Sequence, residues 1–190
     1  MHDIEPYFNW RDYYIASEDK LSPFYGAKYS EFEYQQRIYN YYIHPQWDNF
    51  GSSTLYCKIL FADYNKGFAV IELIGEWNDA VHNDIMEMKR GLIDPLISKG
   101  IFKFILIGEN VLNYHPSDEL YYEEWYDDIK EDDGWIVLLN FRHHIVSEMQ
   151  KHKLHYYMHM GPQFEDVPWR KFKPFNMIHL AEELLIKSLQ

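Results

Sequence analysis

Phe68-Ala69-Val70-Ile71-Glu72-Leu73-Ile74, an amphipathic run through Val81, Ile85, Met88, Leu92 and Leu96, then Phe102-Lys103-Phe104-Ile105-Leu106-Ile107, form the most regular part of the chain. The two outer runs are short, dense in apolar residues and rich in β-branched ones, as buried strands are. Between them apolar residues recur at three- and four-residue steps, as on one face of a helix. A strand, a helix and a second strand joined in that order make a crossover unit, and its strands lie parallel. Asn78 and Asp79 are cap candidates before the helix, Gly100 closes it, and Pro95 either kinks it or begins a new turn.

Upstream, Leu55-Tyr56-Cys57-Lys58-Ile59-Leu60-Phe61 reads as a strand, and Asp63-Tyr64-Asn65-Lys66-Gly67 joins it to the next as an antiparallel hairpin, with Gly67 free to take a positive φ. Downstream the alternation continues. Leu120, Tyr121, Trp125 and Ile129 suit a helix with acids on its outer face; Trp135-Ile136-Val137-Leu138-Leu139 is a strand after the Asp132-Asp133-Gly134 turn; Ile145, Val146 and Met149 mark another helix. Leu154-His155-Tyr156-Tyr157-Met158 is expected as a last strand, and a final helix over 177–189 turns Ile178, Ala181, Leu184 and Leu185 inward behind an Asn176 cap. The expected fold is therefore an α/β domain over 53–190, a mostly parallel sheet opened by an antiparallel hairpin, with helices packed on it.

Residues 1–52 follow neither period. Fifteen of the first fifty residues are aromatic, and only Phe32 and Tyr34 alternate with polar neighbours. This segment reads as an arm laid across the domain on buried rings, each worth about 1.5–3 kcal/mol. Its rival reading is a homodimer contact, since Tyr and Trp also favour interfaces.

Eighteen basic residues against thirty acidic ones leave a net charge of −12, which repels phosphate backbones and argues against nucleic-acid partners. The cluster Arg170-Lys171-Phe172-Lys173 reads as a solvated loop. One cysteine, Cys57, makes no internal disulfide; with no leader pattern in Met1-His2-Asp3-Ile4-Glu5-Pro6, a cytoplasmic location is expected. The longest apolar runs are far below the roughly 20 residues of a membrane span. The glycines form no phosphate-binding nest, and no nucleophile elbow or metal-ligand spacing occurs, so no cofactor, metal or catalytic residue is assigned.

In a parallel sheet, ligands bind beyond the carboxyl ends of the strands. Polar residues gather at those ends here: Glu76, Asn78, Asp79 and His82; Glu109, Asn110 and His115; Asn140, Arg142 and His143. They are the candidate ligand rim of a small-molecule binder or enzyme. The plainer account is that Asn78, Ser117 and Asn140 cap helices.

From Thr54 to Leu189 the order of elements resembles the STAS domain, the fold of bacterial anti-sigma-factor antagonists, in which a hairpin precedes a run of strand–helix units. In that family a strand leads through a short loop to a serine at a helix start, and its phosphorylation switches partner binding. The stretch Phe104-Ile105-Leu106-Ile107-Gly108-Glu109-Asn110-Val111-Leu112-Asn113-Tyr114-His115-Pro116-Ser117 is similar in length and places Ser117 where one such serine falls. His115, Pro116 and Asp118 replace the other signature residues. The resemblance implies a non-catalytic regulatory domain that binds a protein partner through the helix after Ser117. On that helix Tyr121, Tyr122, Trp125 and Tyr126 stand among acids and read as an exposed contact face.

Overall fold

The computed structural model describes residues 3–188. Its centre is a four-stranded sheet in the order β3 (Leu55–Asp63), β4 (Phe68–Asn78), β5 (Lys103–His115), β6 (Trp135–Leu139). The numbering starts in the arm, where β1 (Arg37–Ile38) and β2 (Tyr41–Tyr42) form a small antiparallel hairpin. As expected, β3 and β4 are antiparallel and Gly67 has φ +68° in their connection, whereas β4, β5 and β6 are parallel.

Each parallel strand pairs with the next one in the chain. Right-handed crossovers that always advance in one direction leave their helices on one side of a sheet. On that side lie α2 (Asp84–Met88), α4 (Leu120–Lys130) and α5 (His143–Lys151), whose Ile85, Met88, Trp125, Ile129, Ile145 and Met149 pack on Leu73, Phe104, Leu106 and Leu138. The opposite face holds Phe68, Val70, Ile105, Ile107, Val137 and Leu139. It is covered by Tyr7 and Trp10 of the arm, by Phe164, Val167 and Trp169 of the 162–176 segment, and by α6 (Met177–Ser188). The arm therefore belongs to the core. A third cluster, Ile38, Ile43 and Trp47 on Tyr56 and Ile74, seats the small hairpin.

Three expectations change. The helix after β4 is broken into α1 (Asp79–His82), α2, a π turn Lys89–Ile93 and α3 (Asp94–Ile97), because Asn83 turns left-handed at φ 51° and Pro95 begins the last piece. Val81, on the first piece, faces solvent at 73% exposure instead of the core. Residues 154–158 are no strand: Leu154–Tyr156 is a 3-10 turn that buries Leu154 and Met158 at helical spacing. Only His159 runs beside β6, exchanging two backbone hydrogen bonds with Ile136 and Leu138. That bridge at one edge, and the Asp48–Cys57 bridge at the other, each pair one position of an outer strand. Leu189 of the expected final helix lies outside the described residues.

β5 outruns expectation, continuing to His115 with two register shifts against β4, between Glu72 and Ile74 and between Gly75 and Glu76. Each inserts one extra residue into β5. The first falls at Gly108, where a Cβ would sit 2.3 Å from the Phe141 ring, so the bulge and the missing side chain together admit that ring.

Candidate functional site

The parallel strands share a direction but not a finishing line. Asn78 pairs with His115, so the tips of β4 and β5 meet, whereas β6 stops at Leu139, opposite Ile107 in the middle of β5. The expected rim is thereby split into separate groups.

At the level where β6 ends, the β5 bulge places Glu109 beside the turn that follows β6. Arg170 grips it with both guanidinium arms, Nη1 to Oε1 at 3.0 Å and Nη2 to Oε2 at 2.5 Å; Trp169 Nε1 donates at 2.8 Å and Asn140 Nδ2 at 2.9 Å. Burial acts to raise the Glu109 pKa, but the hydrogen bonds from Arg170, Asn140 and Trp169 prevail and hold it below the ordinary range. Asn140, left-handed at φ 55°, also bonds both backbone groups of Val167. These polar atoms pin the 162–176 segment to the sheet. Arg170 is thus a paired, stacked residue, 4.4 Å over Trp169, rather than part of a free basic loop. Asn140 does not cap α5, whose cap position is Arg142 and lacks a side-chain bond.

Beyond it, Arg142 and His143 line a shallow open cleft of about 470 Å³ with Glu109, Asn140, Glu165 and Asp166. His143 also borders a second open cleft of about 450 Å³ with His115 and His144. At the far tip, Glu76 accepts from Tyr39 Oη at 3.0 Å and Asn113 Nδ2 at 3.2 Å, with His115 Nε2 at 3.8 Å. Asn110 lies within β5, opposite Ile74, and His82 is exposed on α1. Among the described residues no three His, Cys, Asp or Glu side chains converge as a metal site.

Asn78 does cap α1, accepting from Val81 N at 3.0 Å. Asp79 is buried: Tyr122 Oη donates to it at 2.5 Å, Trp77 Nε1 at 3.1 Å and Ile85 N at 2.8 Å. Burial raises its pKa to about 6 against the pull of those donors. Asp84 beside it gathers Ser52, Thr54 and the Asn78 amide. Tyr122 and Trp125 are fully buried, so the expected aromatic contact face on α4 is an internal seam; Tyr121 is half-buried. Ser117 is exposed in the loop before α4, but Glu119, not Ser117, occupies the cap position.

The exposed aromatic surface lies on the arm instead. Trp10, Ile38, Ile43 and Trp47 face inward, while Phe8, Tyr13, Tyr25, Phe32, Tyr34, Tyr39, Tyr41 and Tyr42 face out, Phe32 at 87% exposure. Beneath the arm sits an ion pair that sequence reading missed. Lys58 Nζ lies 3.0 Å from Asp48 Oδ2 and 3.8 Å over the Tyr29 ring, and Tyr29 Oη donates to Asp48 Oδ1 at 2.5 Å. Burial lowers the Lys58 pKa and raises that of Asp48, each opposed by the other's charge. Tyr29 and Asp48 border an open cleft of about 590 Å³ between residues 24–36 and 45–49. Cys57, fully buried with its thiol pKa raised by burial, is an inert core residue. No family model matches the chain, and no curated protein matches it in sequence.

Proposed function

We propose that this chain is a non-catalytic, cytoplasmic protein-interaction domain of STAS-like build whose arm is the contact surface. One observation carries the reading: eight aromatic side chains stand exposed on a segment whose other face is locked into the core. Interfaces are enriched in Tyr and Phe, so a segment this dense in exposed rings is a candidate contact surface. The partner is a protein with a basic, apolar face. Residues 1–50 carry eight Asp and Glu against four Lys and Arg, within a chain of net charge −12. The STAS-like build is supported by the antiparallel hairpin that opens the sheet and by strands that each pair with the next in the chain.

The ligand-rim reading is weaker. Glu109, Asp79 and Asn78 spend their hydrogen-bonding capacity on internal partners, and the clefts lined by Glu109, Arg142, His143 and His115 are open.

The test compares the wild-type chain with a Phe32→Ser/Tyr41→Ser/Tyr42→Ser variant in quantitative affinity capture, followed by reconstitution with the purified candidate. A stoichiometric partner lost by the variant, with an unchanged circular dichroism spectrum, supports the reading. Identical captured sets from both chains reject it. Light scattering assigns the surface to a second copy of the chain if wild type is dimeric and the variant monomeric.

A further inference from the structure

Glu72 lies in the middle of β4, on the sheet face that the arm covers, opposite Lys58 of β3 and Ile107 of β5. It is 1% exposed. Charged side chains are almost never fully buried unless paired. Yet the groups that face Glu72 are already committed elsewhere. Lys58 holds Asp48, and Arg170 is bidentate on Glu109, which itself adds a repelling charge. Among the described residues the hydrogen bond that Glu72 receives comes from the arm: Tyr7 N donates to Oε2 at 2.8 Å. The same stretch of arm is seated by the Tyr7, Trp10 and Trp169 rings, with centroids 4.9 to 5.4 Å apart, and by Trp10 Nε1 on Phe172 O at 3.3 Å.

We propose that Glu72 is a proton-dependent latch: protonated, it lets the arm around Tyr7 lie closed on the sheet; ionised, it favours an opened arm that admits water. This rests on the reading of the arm as the contact surface, and it supplies a regulation of that surface. The physical cause is the asymmetry between the two forms. A neutral carboxyl is tolerated in such a buried place, whereas a carboxylate there has, among the described residues, one backbone donor in place of a hydration shell. Burial accordingly raises the Glu72 pKa to about 7, with the Tyr7 amide and Arg170 pulling it down and Glu109 pushing it up. When the arm lifts, water restores the carboxylate to its ordinary range. The closed form therefore binds the proton more tightly, and closure weakens as pH rises until Glu72 is ionised in both forms.

The expected size follows from that linkage. With an ordinary carboxylate pKa in the open form, the open-to-closed ratio rises roughly tenfold between pH 6 and pH 8. Hydrogen exchange of the Tyr7 amide in the isolated full chain, corrected for the intrinsic pH dependence of exchange, reads this directly. Protection in the wild type is expected to fall about tenfold over that range, and to stay flat in Glu72→Gln and in Glu72→Leu. A wild-type profile without pH dependence, or the same fall in a folded Gln or Leu variant, overturns the proposal. If neither variant folds, carbon-13 NMR of the Glu72 carboxyl decides: titration between pH 6 and 8 in step with the Tyr7 amide supports the latch, and titration in the ordinary carboxylate range rejects it. Exchange at Tyr7 needs no partner, so the latch and the contact surface can fail separately.

Discussion

Replacing Tyr122 by phenylalanine removes one hydroxyl from the seam between α4 and the tip of β4. Tyr122 is wholly buried and its Oη donates to Asp79 Oδ2 at 2.5 Å, while Asp79 Oδ1 keeps the Trp77 indole and the Ile85 amide. At pH 8 Asp79 is ionised, since its pKa is about 6. The lost bond is then one to a charged acceptor, worth about 1.5–3 kcal/mol, and the carboxylate oxygen stays buried. At pH 5 Asp79 is protonated in the folded state and the lost bond is a neutral one, worth roughly 0.5–1.5 kcal/mol. The sign agrees with linkage: the Tyr122 bond lowers the Asp79 pKa, so removing it raises that pKa further and the added penalty appears on the alkaline side. Urea unfolding followed by far-ultraviolet circular dichroism at both pH values measures it. A loss at least about 1 kcal/mol larger at pH 8 than at pH 5 is expected. Equal losses at the two values, or a variant as stable as wild type, would refute the assignment of Tyr122 as an internal anchor of Asp79.

Gly108→Ala is expected to cost about 1–3 kcal/mol through overpacking, because the new Cβ meets the Phe141 ring at 2.3 Å. Its unfolding midpoint in urea reads the loss, and a companion Phe141→Leu change is expected to recover part of it. Lys89→Met removes a fully buried cation held by Asp94, by Asp128 at 2.6 Å and by Glu124 at 3.5 Å. With those acids partly open to solvent, the expected loss is about 1–3 kcal/mol, measured by thermal unfolding.

What the sequence made legible were the features written in local pattern. The hairpin with Gly67, the parallel strands and the α5 face follow from the spacing of apolar residues alone, whereas on α4 the same spacing turns Leu120 inward and the structure leaves it 64% exposed. The strand expected at Leu154–Met158 is a helical i, i+4 pair set around solvent-facing His155 and Tyr156 and a half-buried Tyr157, a pattern too short to tell the two periods apart. The length of β5 was hidden because bulges interrupt its alternation at Gly108 and again near Leu112. On α4 the sequence shows four aromatics among acids, and only packing decides that Tyr122 and Trp125 turn inward while Tyr121 and Tyr126 stay half-exposed. Lys58 and Glu72 did carry a signal. Each is a charge inside an otherwise apolar strand, and such a residue in a strand buried on both faces marks a place where another segment must supply its partner. In both cases that segment is the arm, through Asp48 for Lys58 and the Tyr7 amide for Glu72.

The outward aromatic face of the arm as a protein-binding surface is most directly tested by photo-crosslinking in the cell of origin. Benzoylphenylalanine would be placed at Tyr41 and, as a control outside the arm, at Tyr156, both well exposed. The expected result is one discrete adduct to a second polypeptide from position 41 and none from position 156. Adducts from both positions alike, or from neither, would contradict the account.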